Sequence, residues 1–419
     1  MDVKQEAPSV LYLSYDGLTD PLGQSQVLPY LTGLSSLGYR ITIISFEKEN
    51  KQSTDKKIID EICQAYQINW NPLAYTKNPP VISTLKDLYA LKRKIRSLQK
   101  KSPFSIVHCR SYITSLAGLW MKKKWGTKFI FDMRGFWADE RVEGGIWKLS
   151  NPLYKMIYRY FKRKEKNFLE KADHIISLTE NGAHEIHSWK HIAGQPVPIS
   201  VIPCCVDLDL FDPDKIGSSE VNRLKQKLDI NSGPKVISYV GSIGTWYMLE
   251  EMLNFFKRWL VKNPQSVFLF VTKDDPEKII NASLKFGINK NLIRIHPAAR
   301  TEMPLMIAAS DFSVFFIKPV FSKKASSPTK QGEIMAMGKP VICNSGVGDT
   351  GFIVNKYQSG ILIDQFSDRA YDHATAEASD LQKFDAMTIR RGAQEIYSLR
   401  EGIKKYADVY LKLLNAKKG

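Results

Sequence analysis

Between Phe316 and Gly351 the chain reads FIKPVFSKKASSPTKQGEIMAMGKPVICNSGVGDTG, and few folds accommodate that order of segments. A lysine-bearing loop leads into a helical stretch, SSPTKQGEIMAMG. The short apolar run Val341-Ile342-Cys343 and a glycine-rich loop, GVGDTG, follow. Ser327 and Pro328 read as an N-cap and a first-turn proline, and Gly338 as the stop just past the helix. An apolar run bounded by turn residues after a helix suits a strand buried in a parallel sheet. In such α/β sheets anions and nucleotides sit at strand C-termini and helix N-termini. Lys330 and Glu333 are three residues apart and share one helix face a turn from that loop. A cation for phosphate beside a carboxylate for sugar hydroxyls is a nucleotide-binding pair, although a solvated helix face has the same spacing.

The 419 residues leave room for two domains of about 200 residues each. A net charge of +17 and a pI near 9.4 favour an anionic partner: membrane phospholipid, nucleic acid or a phosphorylated substrate. Five cysteines without framework spacing point to a reducing compartment. No apolar run approaches the roughly 18–20 residues that span a bilayer, and MDVKQEAPS lacks the apolar core of a signal peptide. The expectation is a cytoplasmic protein whose membrane contact, if any, is peripheral.

Val10–Ser14 reads as a strand, Tyr15 to Gln26 as a loop, Val27 to Leu37 as a helix stopped by Gly38, and Arg40–Phe46 as the next strand. This βαβ unit opens a parallel sheet, and Gly17, Gly23 and Ser25 give its loop small residues for close backbone approach to a ligand. A strand over Phe104–Cys109 runs into Arg110, which is placed either to pair with a substrate phosphate or carboxylate or to cap the strand. The strand Lys128–Asp132 leads into MRGFWADER, an odd composition for a passive turn and read as acceptor-facing. Asp132, Arg134, Asp139 and Glu140 are its candidates for acid/base or hydroxyl-binding roles, with a structural ion-pair network as the alternative. From Trp147 to Lys171, eight Lys/Arg face two Glu among interleaved aromatics, which suits an anionic membrane surface. Ile157, Phe161 and Phe168 equally suit a core face. No nucleic-acid module is recognisable, so a nucleic-acid partner is not expected.

Asp207 and Asp209 form a D-x-D metal pattern, but Asp-Pro steps around them read better as turns. The second half restarts with the strand Lys235–Val240 and Gly241-Ser242-Ile243-Gly244, where glycine amides ahead of a helix can cradle phosphate. Residues 346–351 fit G-x-G-x-x-G only weakly as a dinucleotide signal. Ile389 to Leu414 reads as one long basic amphipathic helix.

Residues 326–349 resemble the donor-binding helix of retaining GT-B glycosyltransferases of family 4, whose pattern is E-x7-E followed by A-M-A-x-G-x-P-V-I. Glu333 takes the second glutamate, with Ala336, Met337, Gly338, Pro340, Val341 and Ile342 in register, while Ala325 stands where the first would be. The resemblance implies that Ser327, Thr329, Lys330 and Glu333 line the donor pocket, with Gly348 and Asp349 near the donor sugar and Gly23 in the N-terminal loop. It also implies that the diphosphate sits by Gly241, Ser242 and Gly244. Ser242 replaces the family's arginine there, so Lys330 or Lys318 is expected to supply the missing charge. By the same resemblance, Arg110 occupies the second position of a histidine pair, beside His108.

The implied fold is α/β of the GT-B type, two doubly wound Rossmann-like domains facing across a cleft. Their bounds are 1–205 for the acceptor domain, 206–232 for a linker and 233–399 for the donor domain, with residues 400–419 packing back on the first. The implied activity is transfer of a sugar from a nucleotide diphosphate sugar, without metal or other cofactor, to a lipid-linked or saccharide hydroxyl in cell-surface polysaccharide or glycolipid synthesis. The enzyme would act peripherally on the inner face of the cytoplasmic membrane. A non-hydrolysing nucleotide-sugar epimerase and a degenerate basic lipid- or nucleic-acid-binding protein are the alternatives.

Overall fold

A computed structural model describes residues 7–48, 53–79, 81–230 and 233–415. It divides into two units, one running to Pro203 and resuming at Leu399, the other spanning Cys204–Ser398.

In the first unit, β1 (Ser9–Ser14), α1 (Pro21–Gln26), α2 (Leu28–Ser36), β2 (Arg40–Glu47), α3 (Ser53–Ala65) and β3 (Asn69–Ala74) come first. They are followed by α4 (Ile82–Lys101), β4 (Ile106–Arg110), α5 (Ser111–Trp125), β5 (Lys128–Asp132), α6 (Trp137–Glu143) and α7 (Pro152–Lys171). β6 (His174–Ser177), α8 (Glu180–Ser188) and β7 (Ile199–Val201) complete the sheet. Its seven strands run parallel in the order β3-β2-β1-β4-β5-β6-β7. β1 and β4 are buried along their whole length, as central parallel strands covered on both faces must be.

The second unit contains α9 (Ser218–Lys227), β8 (Val236–Val240), α10 (Leu249–Lys262), β9 (Val267–Val271), α11 (Pro276–Lys285), β10 (Ile293–His296) and α12 (Met303–Ala308). β11 (Phe312–Phe315), α13 (Thr329–Ala336), β12 (Val341–Asn344), α14 (Thr350–Tyr357), β13 (Gly360–Ile363), α15 (Asp368–Ala378) and α16 (Ala386–Tyr397) follow. Six parallel strands take the order β10-β9-β8-β11-β12-β13. In both sheets the strand order reverses at the first strand, the point where α/β sheets place their ligands.

The structure departs from the sequence reading at several places. Residues 21–26, expected as loop, form α1, started by Pro21 after Asp20. Ser327 is not the N-cap of α13: Pro328 holds that position, and the Ser327 hydroxyl accepts the Cys204 amide at 3.1 Å. The expected long helix is two, broken at Ser398, whose extended ψ of 121° separates α16 from α17 (Leu399–Asn415). Residues expected as a linker belong to the second unit, whose core buries Val206, Phe211, Leu224, Leu228 and Ile230. α17 packs on α2 of the first unit. Residues 416–419 lie outside the described chain. No described helix is long and apolar enough to cross a membrane.

Candidate functional site

In the second unit the site is built where β8 ends. Gly241 follows β8 with φ of +115°, a backbone state that side chains rarely adopt, and a Cβ there would lie 3.3 Å from the Lys330 ammonium. Lys330 enters from the first turn of α13 and is 5% exposed. Its Nζ donates to the Tyr239 hydroxyl at 3.1 Å and lies 3.3 Å from the centre of the Tyr247 ring. Tyr239 in turn donates to the Ser242 carbonyl at 2.7 Å. Lys330 makes no ion pair among the described residues. Burial holds its amine well below the usual lysine range, against a weaker upward pull from Glu333. A buried amine held by a phenol and aromatic faces, without an ion-pair partner, is poised for an incoming anion.

The loop after β8 is held differently from the sequence expectation. Asp274, just past β9, accepts from Thr272 Oγ1 at 3.1 Å, from Ser242 Oγ at 3.0 Å and from the Ile243 amide. The Ile243 amide and the Ser242 hydroxyl are therefore engaged by an internal carboxylate. Of the expected phosphate-cradling groups, Gly241 is the one that borders Lys330 directly; Gly244 has no neighbour within 4 Å of the Cβ position it lacks.

Glu333 lies one turn along α13 from Lys330, and its Oε1 accepts from Arg300 Nη1 at 2.8 Å. The Arg300 guanidinium is stacked 5.3 Å from the centre of the Phe211 ring. Thr329 opens α13, and Ala325 is buried, as its small size allows. The Lys318 side chain is exposed while its amide donates to the Trp246 carbonyl at 3.0 Å, so Lys330 rather than Lys318 reaches the end of β8. The Gly348 amide donates to the Lys323 carbonyl at 2.8 Å, and Asp349 sits at the N-cap position of α14.

In the first unit Arg110 and Asp132 are register partners at the C-terminal ends of β4 and β5. Asp132 is fully buried, with His108 Nε2 3.4 Å and the Tyr406 hydroxyl 3.3 Å from its Oδ2, and Arg134 Nη1 3.8 Å from its Oδ1. Tyr410 lies 2.7 Å from His108 Nδ1, so a neutral imidazole donates to Asp132 through Nε2 and accepts from Tyr410. Burial lowers His108 against the pull of Asp132 and keeps it neutral. Burial raises the Asp132 carboxyl, but Arg134, His108 and Arg110 outweigh it and hold the group below the usual carboxylate range. Arg134 takes φ of +57° two residues past the end of β5.

Arg110 reaches Asp16 through Nε at 3.4 Å. Arg110 Nη1 and Asp132 Oδ1 are buried without a hydrogen bond. An open donor beside an open acceptor on register-paired residues is what a hydroxyl, which both donates and accepts, satisfies.

Asp139 belongs to another group. Its two oxygens take the Tyr158 hydroxyl at 2.7 Å and Lys162 Nζ at 2.9 Å, both from α7, and Lys162 also pairs with the buried Glu165. This is the ion-pair network left open as an alternative, and it fixes α7 to α6. Glu140 lies beside it in the first turn of α6. Gly23 is buried in α1, where a Cβ would lie 2.1 Å from the Gly17 carbonyl. The loop it abuts is tied down by Glu47, which accepts from the Leu18 amide at 2.8 Å and from Thr19 Oγ1 at 2.6 Å. Asp207 Oδ1 accepts the Asp209 and Leu210 amides at 3.0 and 3.2 Å, which is turn chemistry.

Sequence reasoning missed Asp274, Arg300, Glu47, Tyr406 and Tyr410. Asp274 and Glu47 carried a signal, since each stands at or just past a strand C-terminus where polar loops gather. Tyr406 and Tyr410, four apart on an amphipathic helix, are indistinguishable from core residues in the sequence.

Comparison with known proteins gives matches to two family models, Glycosyltransferase Family 4 over residues 25–210 and Glycosyl transferases group 1 over residues 220–395. The UDP-Gal:alpha-D-GlcNAc-diphosphoundecaprenol alpha-1,3-galactosyltransferase of Escherichia coli is 23% identical over 415 residues, 93% of this chain and 96% of the relative. Among solved structures, sucrose-phosphate synthase from Thermosynechococcus elongatus superposes with a TM-score of 0.75 at 15% identity, covering 98% of this chain and 100% of that one. Anabaena HepE, solved with UDP-glucose, gives 0.71 at 13% identity, covering 96% and 99%.

Proposed function

Because the chain belongs to the family 4-like glycosyltransferases of the GT-B fold, we propose that it transfers a hexosyl or N-acetylhexosaminyl group, with retention, from a nucleotide diphosphate sugar to a hydroxyl of a lipid-linked or saccharide acceptor. The observation that carries this reading is Lys330, a buried amine without an ion-pair partner at the end of the central strand of the second unit. A nucleoside diphosphate group beside Gly241 would give that amine a counter-charge and leave it protonated.

In this reading the second unit holds the donor. The bond from the anomeric carbon to the diphosphate breaks as the acceptor oxygen bonds to the same face of the sugar, and the acceptor proton passes to the leaving phosphate. Lys330 stabilises the charge that develops on the diphosphate, the role a metal ion plays elsewhere, so the reaction proceeds without one. Glu333 accepts from the ribose hydroxyls through the oxygen that Arg300 leaves open. The first unit takes the acceptor, with Arg110 Nη1 donating to its hydroxyl and Asp132 Oδ1 accepting from it. The galactosyltransferase relative, whose name specifies a sugar linked to diphosphoundecaprenol as its acceptor, supports a lipid-linked substrate. The basic α7 supports a peripheral position on an anionic membrane, with exposed Lys155, Arg159 and Arg163 around exposed Leu153, Met156 and Tyr160. Phe161 and Phe168 of the same helix serve the core.

The test is thermal unfolding in EDTA with UDP, GDP, ADP, dTDP and CMP. One nucleotide at about 100 times its dissociation constant stabilises by about 2.7 kcal/mol, a shift of a few degrees. The absence of a shift with every nucleotide, in magnesium as well as EDTA, overturns the proposal.

A further inference from the structure

α7 is not the only helix of the first unit with an exposed apolar stripe beside cations. On α4, Ile82, Leu85 and Tyr89 are separated by three and then four residues; on α7, Leu153, Met156 and Tyr160 repeat that spacing. All six are between 44% and 67% exposed. The opposite faces are buried, through Leu91 and Ile95 on α4 and Phe161 and Phe168 on α7. In both helices the apolar triplet fills the N-terminal half and ends in a tyrosine, the residue suited to a boundary between water and hydrocarbon. Cations follow in both: Lys92, Arg93 and Arg96 on α4, Arg163 and Lys164 on α7.

Topology sets the two stripes side by side. The crossovers from β3 to β4, β4 to β5 and β5 to β6 all move the same way along the sheet, so right-handed connections put α4, α5 and α7 on one face. α5 packs against both of the others. Each helix starts beyond the C-terminal end of its preceding strand, so both triplets lie at the sheet edge where Arg110 and Asp132 end their strands.

Behind the triplets, the Trp120 ring of α5 is surrounded by Lys92, Arg96 and Lys124 at 5.6, 5.2 and 5.7 Å from its centre. Lys164 is close enough that it joins burial and Arg96 in lowering the Lys92 amine. These cations gather around an indole with no carboxylate in ion-pair contact with Lys92, Arg96, Lys124 or Lys164 among the described residues. Such a cluster calls for external anions held at a fixed depth below an apolar rim, as lipid phosphates are.

We propose that α4 and α7 form one two-helix dock for an anionic lipid bilayer, with both apolar triplets entering the boundary between headgroups and acyl chains and the Trp120 cluster taking lipid phosphates. The inference rests on the peripheral-membrane part of the proposed function and extends it. The dock sets the strand ends carrying Arg110 and Asp132 at the level of the headgroups, where the hydroxyl of a lipid-linked acceptor is presented.

The test is co-flotation of the full chain with phosphatidylcholine vesicles, with and without phosphatidylglycerol. Three paired variants are compared with wild type: Leu85→Ser with Tyr89→Ser, Lys92→Glu with Arg96→Glu, and Met156→Ser with Tyr160→Ser. Unchanged circular dichroism and unfolding midpoints confirm folding, since every replaced side chain is exposed or half-buried. Each pair is expected to lower partition onto phosphatidylglycerol vesicles by at least about tenfold. If both α4 pairs float like wild type while the α7 pair is released, the two-helix dock is wrong although membrane binding through α7 stands. If none is released, both ideas fall. If Lys92→Glu with Arg96→Glu loses single-stranded RNA and keeps its vesicles, the cluster is a nucleic-acid surface and the proposal is overturned.

Discussion

Lys330 is the residue on which the donor chemistry turns, and its burial makes a prediction about protons. Its amine titrates well below the ordinary lysine range because burial penalises the charge. The unfolded chain therefore holds a proton that the folded chain has lost, across the window from the depressed value up to about 10.4. Over that window stability rises with pH, and the full cost of charging the amine is present below the folded value. A bound diphosphate reverses the penalty, so nucleotide binding is expected to take up a proton. Calorimetry in two buffers of different ionisation enthalpy checks this, and equal heats would remove Lys330 from the phosphate site. Lys330→Ala is expected to cost about 1.5–3 kcal/mol of nucleotide affinity, the range for a hydrogen bond to a charged group. Glu333→Ala is expected to weaken nucleotide binding by a similar amount, about 1.5–3 kcal/mol, whereas Arg300→Ala leaves both glutamate oxygens available and is expected to weaken it less. Titration with nucleotide ranks the two. The sequence showed Lys330 and Glu333 as neighbours on a helix, because three-residue spacing is a local property. It could not show that Arg300 would pair with one or that Tyr239 would hold the other. Those partners come from strand ends and loops brought together only by the folded sheet.

At the scale of elements, α13 must lie close to its neighbours for Lys330 to reach β8. Gly332, between Lys330 and Glu333, makes that approach possible: a Cβ there would lie 2.8 Å from Val206 and 2.9 Å from Tyr397. Alanine gains about 1 kcal/mol of helix propensity at such a position, but overpacking costs about 1–3 kcal/mol. Gly332→Ala is expected to destabilise on balance, by up to about 2 kcal/mol, and to weaken nucleotide binding by tilting Lys330. Denaturant unfolding with a nucleotide titration checks both, and a variant as stable as wild type with full affinity would show that the helix has slack. Strands and helices were legible here because buried parallel strands are short apolar runs and amphipathic helices repeat every three to four residues. The break at Ser398 was not, since the residues on either side continue one amphipathic pattern and the interruption is a backbone turn.

At the scale of the molecule, a net charge of +17 favours anionic partners held by surface charge, an attraction that salt weakens. Replacing the lysines and arginines of residues 155–166 other than Lys162 is expected to abolish flotation with anionic vesicles while transfer to a soluble acceptor persists. Vesicle binding that survives would move the contact elsewhere. Lys162 should be left in place, since it holds Asp139 and Glu165. The two-unit organisation was legible because the pattern of strand, loop and helix restarts at Lys235. The return of the chain to the first unit was legible only in outline, because an amphipathic helix does not name the surface it covers. That return orders events during synthesis. The first sheet is translated early, yet the two phenols that reach Asp132 and His108 belong to α17, made after the whole second unit. A first unit without α17 lacks both phenols that contact Asp132 and His108. Ending translation after Ser398 is expected to leave a first unit that opens readily to protease, detectable by limited proteolysis, while the second unit resists. α17, which follows the whole second unit in the chain, thus acts as a latch on the sheet of the first.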